Sequence, residues 1–171
     1  MRKFFLTLLL ASALTSTAFA SDSAEVVIGD YLREATLDGL NVESKALSDY
    51  KGKPLIINLW ASYCGPCRAE MASLERLAQR YNGKDFNIIG ISIDDYRNIA
   101  TDFIKQTEIT FENYQDHKLV MEKMLGGKTI PLTVLVDAQG RILTKVDGSR
   151  EWDHPAIIAA IGQTFQIELT Q

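Results

Sequence analysis

The chain has 171 residues, of which 46% are hydrophobic, with 18 basic and 22 acidic residues and a net charge of −4. This length suits one domain with a full hydrophobic core. The acidic balance argues against binding to nucleic acid or to anionic lipid, because both attract basic surfaces. The chain contains only two cysteines, Cys64 and Cys67.

The N-terminus has the pattern of a secretory signal peptide. Arg2 and Lys3 precede a mostly apolar stretch at residues 4–14, and residues 18–20 form a small-x-small cleavage signal. We therefore predict a signal peptide over residues 1–20 and a periplasmic or otherwise exported, soluble protein. The alternative is an uncleaved N-terminal membrane anchor, although the apolar stretch is short for a span of about 20 residues. Disulfides persist in exported proteins.

The residues that follow predict a short lead-in and one domain. Residues 21–30 are polar and then briefly apolar, and we predict a flexible lead-in there, followed by a single domain over residues 31–171. Within residues 31–50, short apolar alternation flanks a turn at residues 37–39, which predicts a β-hairpin. A short helical turn is predicted at residues 46–50.

The middle of the chain predicts two buried strands with a helix between them. Residues 55–60 are almost continuously apolar, as expected of a central strand covered on both faces. Residues 68–81 place apolar side chains on one face at helical spacing. A second buried strand is predicted at residues 86–93, and the pair Asp94-Asp95 is predicted to cap the helix that follows.

The remainder predicts further strands and helices, with a hairpin turn at residues 137–140. In chain order they are a helix, a strand, a helix, two strands and a helix, at residues 99–106, 109–114, 117–125, 132–136, 141–146 and 152–164. The most economical arrangement is an α/β fold, in which a mixed central β-sheet has helices on both faces and an N-terminal β-hairpin extension.

The two cysteines stand where the predicted central strand ends and a helix begins, a spacing typical of a redox pair. A thiolate, not a thiol, attacks a disulfide, and the free N–H groups of a helix start favour that anion at Cys64. We therefore predict Cys64 as the nucleophile and Cys67 as the cysteine that resolves the mixed disulfide. Between them, Pro66 suits a first helical turn and Gly65 leaves room for a partner chain.

Structural zinc sites and covalent haem attachment require ligands in addition to a cysteine pair. A structural zinc site needs about four, and only His117 and His154 remain, neither of them at ligand spacing. Covalent haem attachment requires a histidine after the second cysteine, where this chain has Arg68. No metal site is predicted, but copper(I) can be held by two thiolates alone, so copper handling remains an alternative.

The sequence from Trp60 to Met71, WASYCGPCRAEM, resembles the active site of the thioredoxin superfamily. The resemblance is closest to its exported TlpA-like branch, which includes the cytochrome c maturation thioredoxins. Four further stretches resemble that branch in the same order, at residues 38–54, 90–94, 129–137 and 148–152. The likeness covers residues 31–161 and implies a thioredoxin-like fold.

The resemblance also implies how a partner would meet the cysteines. The Ile130–Pro131 peptide bond would be cis and face the two sulfurs, with Pro131 part of the catalytic centre. The Ile130 backbone would then be presented to an extended partner segment. Tyr63 would flank the nucleophile, and Gly148 would form a groove wall. The predicted substrate-binding residues are Tyr63, Gly65, Pro66, Ile130 and Gly148.

Two positions depart from the cytosolic thioredoxins, which carry a buried Asp and Lys behind the active site. Asn58 and Gly90 occupy the matching positions, so the usual proton acceptor for the second cysteine is missing. Glu70 lies three residues after Cys67 on the same helix face. We expect Glu70 to tune the thiol pKa values and to shuttle a proton; the alternative is a solvated helix residue paired with a neighbour.

Together these features predict an exported thiol–disulfide oxidoreductase that exchanges disulfides with partner proteins through Cys64 and Cys67. The Gly-Pro dipeptide matches that of reducing thioredoxins, so we predict net reduction of partners, with apocytochrome c as a candidate. No bound cofactor is expected, because the electrons travel in the cysteine pair. A membrane thiol transporter is expected as electron donor, and the protein is expected to be a monomer. The alternatives are a thiol peroxidase, since peroxiredoxins share the fold, and a copper(I)-handling thiol protein.

Overall fold

The structure is a computed structural model that describes residues 25–169. The predicted signal peptide and the alternative membrane anchor lie outside the described residues, and within residues 25–169 no helix is long and apolar enough to cross a membrane. The elements are β1 (Thr36–Gly39), β2 (Lys45–Ala46), a 3₁₀ helix (Leu47–Tyr50), β3 (Leu55–Trp60), α1 (Gly65–Tyr81), β4 (Asn87–Ser92), α2 (Arg97–Gln106), β5 (Glu112–Gln115), α3 (Val120–Leu125), β6 (Leu132–Val136), β7 (Ile142–Asp147) and α4 (Pro155–Phe165).

The seven strands form one mixed sheet in the order β2-β1-β5-β4-β3-β6-β7. β3 is parallel to β4 and β4 is parallel to β5, whereas the remaining pairs are antiparallel. β3 therefore lies inside the sheet, and every one of its residues is buried. The predicted α/β architecture is confirmed, and β3 has the predicted limits.

Helices cover both faces of the sheet, as predicted. One hydrophobic core lies beneath α1, α2 and α4 and includes Met71 of α1. The other lies beneath α3 and the 3₁₀ helix and includes Met121 of α3. Because successive strand residues point to opposite faces, Ile56 enters the first core and Ile57 the second. Burial on both faces explains why β3 is apolar apart from Asn58.

The N-terminal hairpin differs from its prediction in the position of its turn. Residues 37–39 lie inside β1, and residues 40–44 connect β1 to β2. β1 pairs with β5 as well as with β2, and Leu37 and Gly39 are buried there. Pairing on both edges therefore overrides the local turn preference of this segment, and the hairpin extends the main sheet by two strands.

The end of the predicted lead-in packs against the domain. The structure describes residues 25–30 of this segment, in which Val26 is buried. The Val26 backbone N–H donates to the Met124 carbonyl at 2.8 Å, and the Gly29 N–H donates to the Ile142 carbonyl at 2.9 Å. These contacts attach the segment to α3 and β7. The polar composition of residues 21–30 did not predict this packing.

Candidate active site

Cys64 and Cys67 form a disulfide at the junction of β3 and α1. Cys64 is the N-cap residue of α1, and its Sγ accepts a hydrogen bond from the Cys67 backbone N–H at 3.2 Å. α1 begins at Gly65, three residues earlier than predicted, because Pro66 tolerates the first turn without needing an N–H partner. Once the disulfide is reduced, N–H groups in this position would stabilise negative charge on the Cys64 sulfur, as a nucleophilic thiolate requires.

The two cysteines differ in their access to solvent. Cys64 retains 9% of its surface, whereas Cys67 is fully buried. A partner sulfur can therefore reach Cys64 first, while Cys67 is placed to react with Cys64. This inequality supports the roles predicted for the two residues.

The loop before β6 lies beside the disulfide. The Ile130–Pro131 bond is cis, as the resemblance implied, and the Cys64 Sγ lies 3.6 Å from the Ile130 carbonyl oxygen. The Gly148 backbone N–H donates to the Pro131 carbonyl at 2.9 Å. Gly148 has a φ of +76°, which glycine adopts without strain. The structure thus places the Ile130 carbonyl against Cys64 and binds Gly148 to the adjacent Pro131.

The predicted substrate-binding residues form what we call the outer surface: Tyr63, Gly65, Pro66, Ile130 and Gly148. Tyr63 is 70% exposed. A Cβ at Gly65 would meet nothing within 4 Å, so space is open beside the helix start. Partial desolvation raises the pKa of Tyr63, with further contributions from the negative charges of Asp94, Asp95 and Glu122.

Asp94 has a role that the sequence analysis missed. The predicted Asp94-Asp95 cap is wrong, since Tyr96 is the N-cap residue of α2. Asp94 is buried and accepts hydrogen bonds from the Ser62 backbone N–H at 3.0 Å, the Ser62 hydroxyl at 2.6 Å and the Ser92 hydroxyl at 2.8 Å. It thereby ties the end of β4 to the loop that carries Cys64. Its position directly after a strand parallel to β3 was the available signal.

Glu70 is buried behind the cysteine pair, with 1% of its surface exposed. Its Oε1 accepts from Asn58 Nδ2 at 2.8 Å, and its Oε2 accepts from Trp152 Nε1 at 2.9 Å and from the Arg150 backbone N–H at 3.0 Å. Burial raises the pKa of Glu70, and these hydrogen bonds lower it in part. The alternative of a solvated helix residue is therefore wrong.

Trp152 is the second residue whose role was missed. It was predicted to begin the last helix, but α4 begins at Pro155, with His154 as its N-cap residue. Trp152 instead directs its indole N–H at Glu70, and its backbone N–H donates to the Ser73 hydroxyl at 2.9 Å. Its place in the closing stretch at residues 148–152 was the only hint in the sequence.

The positions that depart from cytosolic thioredoxins lie side by side on β3 and β4, where Asn58 pairs with Gly90. A Cβ at Gly90 would lie 2.0 Å from Asn113 Oδ1 and 2.9 Å from Trp60 Nε1, so no side chain fits there. Asn58 also donates to Thr133 Oγ1 at 3.0 Å. We call the residues that share these contacts the buried polar cluster: Asn58, Glu70, Thr133 and Trp152.

Neither histidine belongs to a cluster of side chains that could bind a metal ion among the described residues. His154 caps α4, and its Nδ1 accepts from the Ala156 N–H at 3.2 Å. Among residues 25–169, no group of three or more His, Cys, Asp or Glu side chains is placed to hold a metal ion.

The chain matches a known protein family and is similar to curated proteins. The chain matches the AhpC/TSA family over residues 28–145. It is 29% identical over 114 residues to the thiol-disulfide oxidoreductase ResA of Bacillus thuringiensis subsp. konkukian, covering 67% of this chain and 64% of the relative. It is 27% identical over 152 residues to ResA of Geobacillus thermodenitrificans, covering 87% of each chain.

Solved structures agree with the fold. A crystal structure named for a thiol:disulfide interchange protein, DsbE, from Chlorobium tepidum superimposes with a TM-score of 0.72 and 28% identity, covering 82% of this chain and 96% of that one. The first curated relatives are longer than the aligned region, since the match spans 64% of their length.

Proposed function

This chain belongs to the AhpC/TSA family, and we propose that it is an exported thiol–disulfide oxidoreductase acting on partner proteins through Cys64 and Cys67. One observation carries the proposal. A disulfide at a helix N-terminus joins Cys64, which keeps 9% of its surface exposed, to the fully buried Cys67. The similarity to proteins named as thiol-disulfide oxidoreductases supports the same chemistry here.

In the reduced protein, the Cys64 thiolate attacks one sulfur of a partner disulfide. A new sulfur–sulfur bond joins Cys64 to the partner, and the partner's second sulfur leaves as a thiolate. Cys67 then loses its proton and attacks the Cys64 sulfur, which releases the partner as a dithiol and closes the Cys64–Cys67 disulfide. Two electrons pass from the cysteine pair to the partner, so we propose that no bound cofactor takes part.

The outer surface would hold the partner during these steps. The exposed ring of Tyr63 and the open space at Gly65 leave room for an extended chain. The Ile130 carbonyl oxygen, next to the cis bond of Pro131, lies 3.6 Å from the reacting sulfur of Cys64. Backbone groups recognise an extended segment without regard to its side chains, which suits a protein that acts on exposed cysteines.

Glu70 would manage the proton that Cys67 releases. It follows Cys67 by one helical turn and is equally shielded from water. Because burial raises its pKa, the carboxylate is a better proton acceptor than a solvated glutamate. Replacing Glu70 with Gln should shift the thiol pKa values and slow exchange, and unchanged values for both would contradict this role.

We propose that the protein works as a reductant after export. The Gly-Pro dipeptide between the cysteines and the similarity to ResA support reduction, with apocytochrome c as the candidate partner. The signal-like sequence at residues 1–20 supports export. A reductant in an oxidising compartment needs an electron supply, for which we propose a membrane thiol transporter. We further propose that the protein is a monomer.

Trapping of mixed disulfides tests the function. Cys67→Ser removes the resolving sulfur, so partners should accumulate on Cys64 and be identifiable by mass spectrometry. Cys64→Ser is the matched control and should trap none. Capture of no disulfide-linked protein by Cys67→Ser would overturn the proposal.

The same variants separate the alternatives. Consumption of peroxide by Cys67→Ser would favour a thiol peroxidase, whose chemistry needs only one attacking thiol. Retention of copper(I) by the reduced wild-type protein, lost in Cys64→Ser, would favour copper handling.

A further inference from the structure

Asn58 carries a polar atom with no hydrogen-bond partner. The residue is fully buried at the middle of β3. Both N–H bonds of its Nδ2 are used, one toward Glu70 Oε1 at 2.8 Å and one toward Thr133 Oγ1 at 3.0 Å. Its Oδ1 is buried and has no partner within residues 25–169. Buried polar atoms are nearly always hydrogen-bonded, so this oxygen is an unused acceptor in the buried polar cluster.

The contacts of Glu70 determine which of its oxygens can carry a proton. Oε2 accepts from the Trp152 indole N–H and from the Arg150 backbone N–H. Both groups are donors only. A proton on Oε2 would point at another N–H, so a proton taken up by Glu70 must reside on Oε1.

Among residues 25–169 the hydrogen-bond partner of Oε1 is Asn58 Nδ2, which is also a donor, so a proton on Oε1 finds no acceptor there. A half-turn of the Asn58 amide removes this conflict, because Oδ1 then accepts from the Glu70 O–H. The Thr133 hydroxyl can act as donor or acceptor, so it can donate to the same Oδ1. We propose that Asn58 is a positioning residue whose amide turns over when Glu70 gains or loses a proton.

The two orientations differ in the atom that lacks a partner. With Glu70 ionised it is the carbonyl oxygen Oδ1, and with Glu70 protonated it is the Nδ2 group. A buried N–H without a partner is the rarer and costlier defect. Asn58 therefore favours the carboxylate and opposes the burial that raises the pKa of Glu70.

Few charges act on this pair. β3 and β6 contribute only the neutral Asn58 and Thr133, and on α1 the neighbouring Cys67 is held in the disulfide. Among the described residues, the charge of Arg150 lowers the Glu70 pKa. Arg150 lies in the segment before α4, and its guanidinium donates to the Gly148 and Ser149 carbonyls. The meaning of the amide turn for proton transfer to the cysteines rests on the proposed function, but the turn itself does not.

Nuclear magnetic resonance of the oxidised protein tests the turn directly. We expect the nuclear Overhauser contact between the Asn58 Nδ2 protons and Thr133 at high pH and its loss at low pH. The pH at which half of this contact is lost should equal the midpoint of the titration of the Glu70 carboxyl carbon. Asn113 is the matched control, since it is also fully buried. Its Oδ1 accepts from Trp60 Nε1 at 2.9 Å and its Nδ2 donates to the Phe111 carbonyl at 2.9 Å. Both partners are fixed, so its signals should not titrate.

Glu70→Gln gives a second test that needs no titration. Its amide oxygen should keep the two N–H donors of Trp152 and Arg150, so its Nε2 faces Asn58 and requires Oδ1 there. We expect Asn58 to hold the turned orientation at every pH. Retention of the Thr133 contact in Glu70→Gln, or in the wild type at pH values below the Glu70 titration, would overturn the proposal. The oxidised protein has no thiol partner in this sample and undergoes no disulfide exchange there, so failure of the proposed function would leave this result unaffected.

Discussion

The outer surface and the buried polar cluster are built in opposite ways around the same disulfide. The outer surface presents an exposed ring at Tyr63, an unhindered glycine at Gly65 and a backbone carbonyl at Ile130. The cluster behind it consists of side chains that bind one another, and Glu70 alone has three donors. We infer that partner recognition and proton control are separable. Changes in the cluster should alter stability and pKa values, whereas changes in the outer surface should alter exchange with proteins.

Trp152→Phe should have the largest effect on stability. It keeps an aromatic ring in the core but removes the N–H that binds Glu70 Oε2. Loss of a hydrogen bond to a buried charged group should lower the free energy of unfolding by about 1–3 kcal/mol. The Glu70 pKa should also rise, because one donor that favours the carboxylate is gone. Urea unfolding and carboxyl-carbon titration measure the two effects.

Trp60→Phe is the matched control for that change. Its indole N–H is equally buried but binds the neutral Asn113 Oδ1 at 2.9 Å. We expect it to destabilise the protein without moving the Glu70 titration. An unchanged Glu70 titration in Trp152→Phe would contradict the role assigned to the cluster.

Glu70→Gln should change the pH dependence of stability. The pKa of Glu70 is raised in the folded protein above its ordinary value of 4.5. The stability that this group contributes is therefore complete below the unfolded value and is lost as pH rises through the folded value. Gln cannot ionise, so the variant should gain stability relative to the wild type as pH rises through that window. Urea unfolding of both oxidised proteins across pH measures the difference, and a constant difference would contradict the raised pKa.

The fold was largely predictable because its elements have strong local patterns. The apolar run of β3 and the helical spacing of α1 each have one plausible structure. The turn at residues 37–39 was mispredicted because β5, distant in sequence, pairs with β1. Pairing between distant segments is not visible in a local pattern.

The candidate site likewise has features that the local sequence predicts and features that depend on distant segments. Cys64 and Cys67 could be identified from spacing, and the cis bond at Pro131 from family resemblance. The contacts of Asp94 and Trp152 could not, because each reaches across the fold, to Ser62 and Glu70 respectively. The burial of Glu70 also depends on segments far from α1 in sequence.

Tyr63→Ala should have the smallest effect on stability and a selective effect on exchange. Substitutions at exposed positions usually change the free energy of unfolding by less than about 0.5 kcal/mol. Exchange with protein disulfides should slow several-fold, while exchange with oxidised glutathione should not change. Tyr31→Ala is the control, because Tyr31 is 60% exposed but pairs with Arg141, at the opposite end of the β6–β7 hairpin from Pro131. If Tyr63→Ala slowed exchange with oxidised glutathione as much as exchange with protein disulfides, Tyr63 would have no specific role in binding proteins.

The reduction potential of the Cys64–Cys67 pair tests most directly whether the protein donates electrons to its partners. It can be measured by equilibration with defined ratios of reduced and oxidised glutathione, followed by alkylation and mass spectrometry. We predict a value near that of reducing thioredoxins, about −270 mV. A value near that of strong oxidants, about −120 mV, would contradict a reductant.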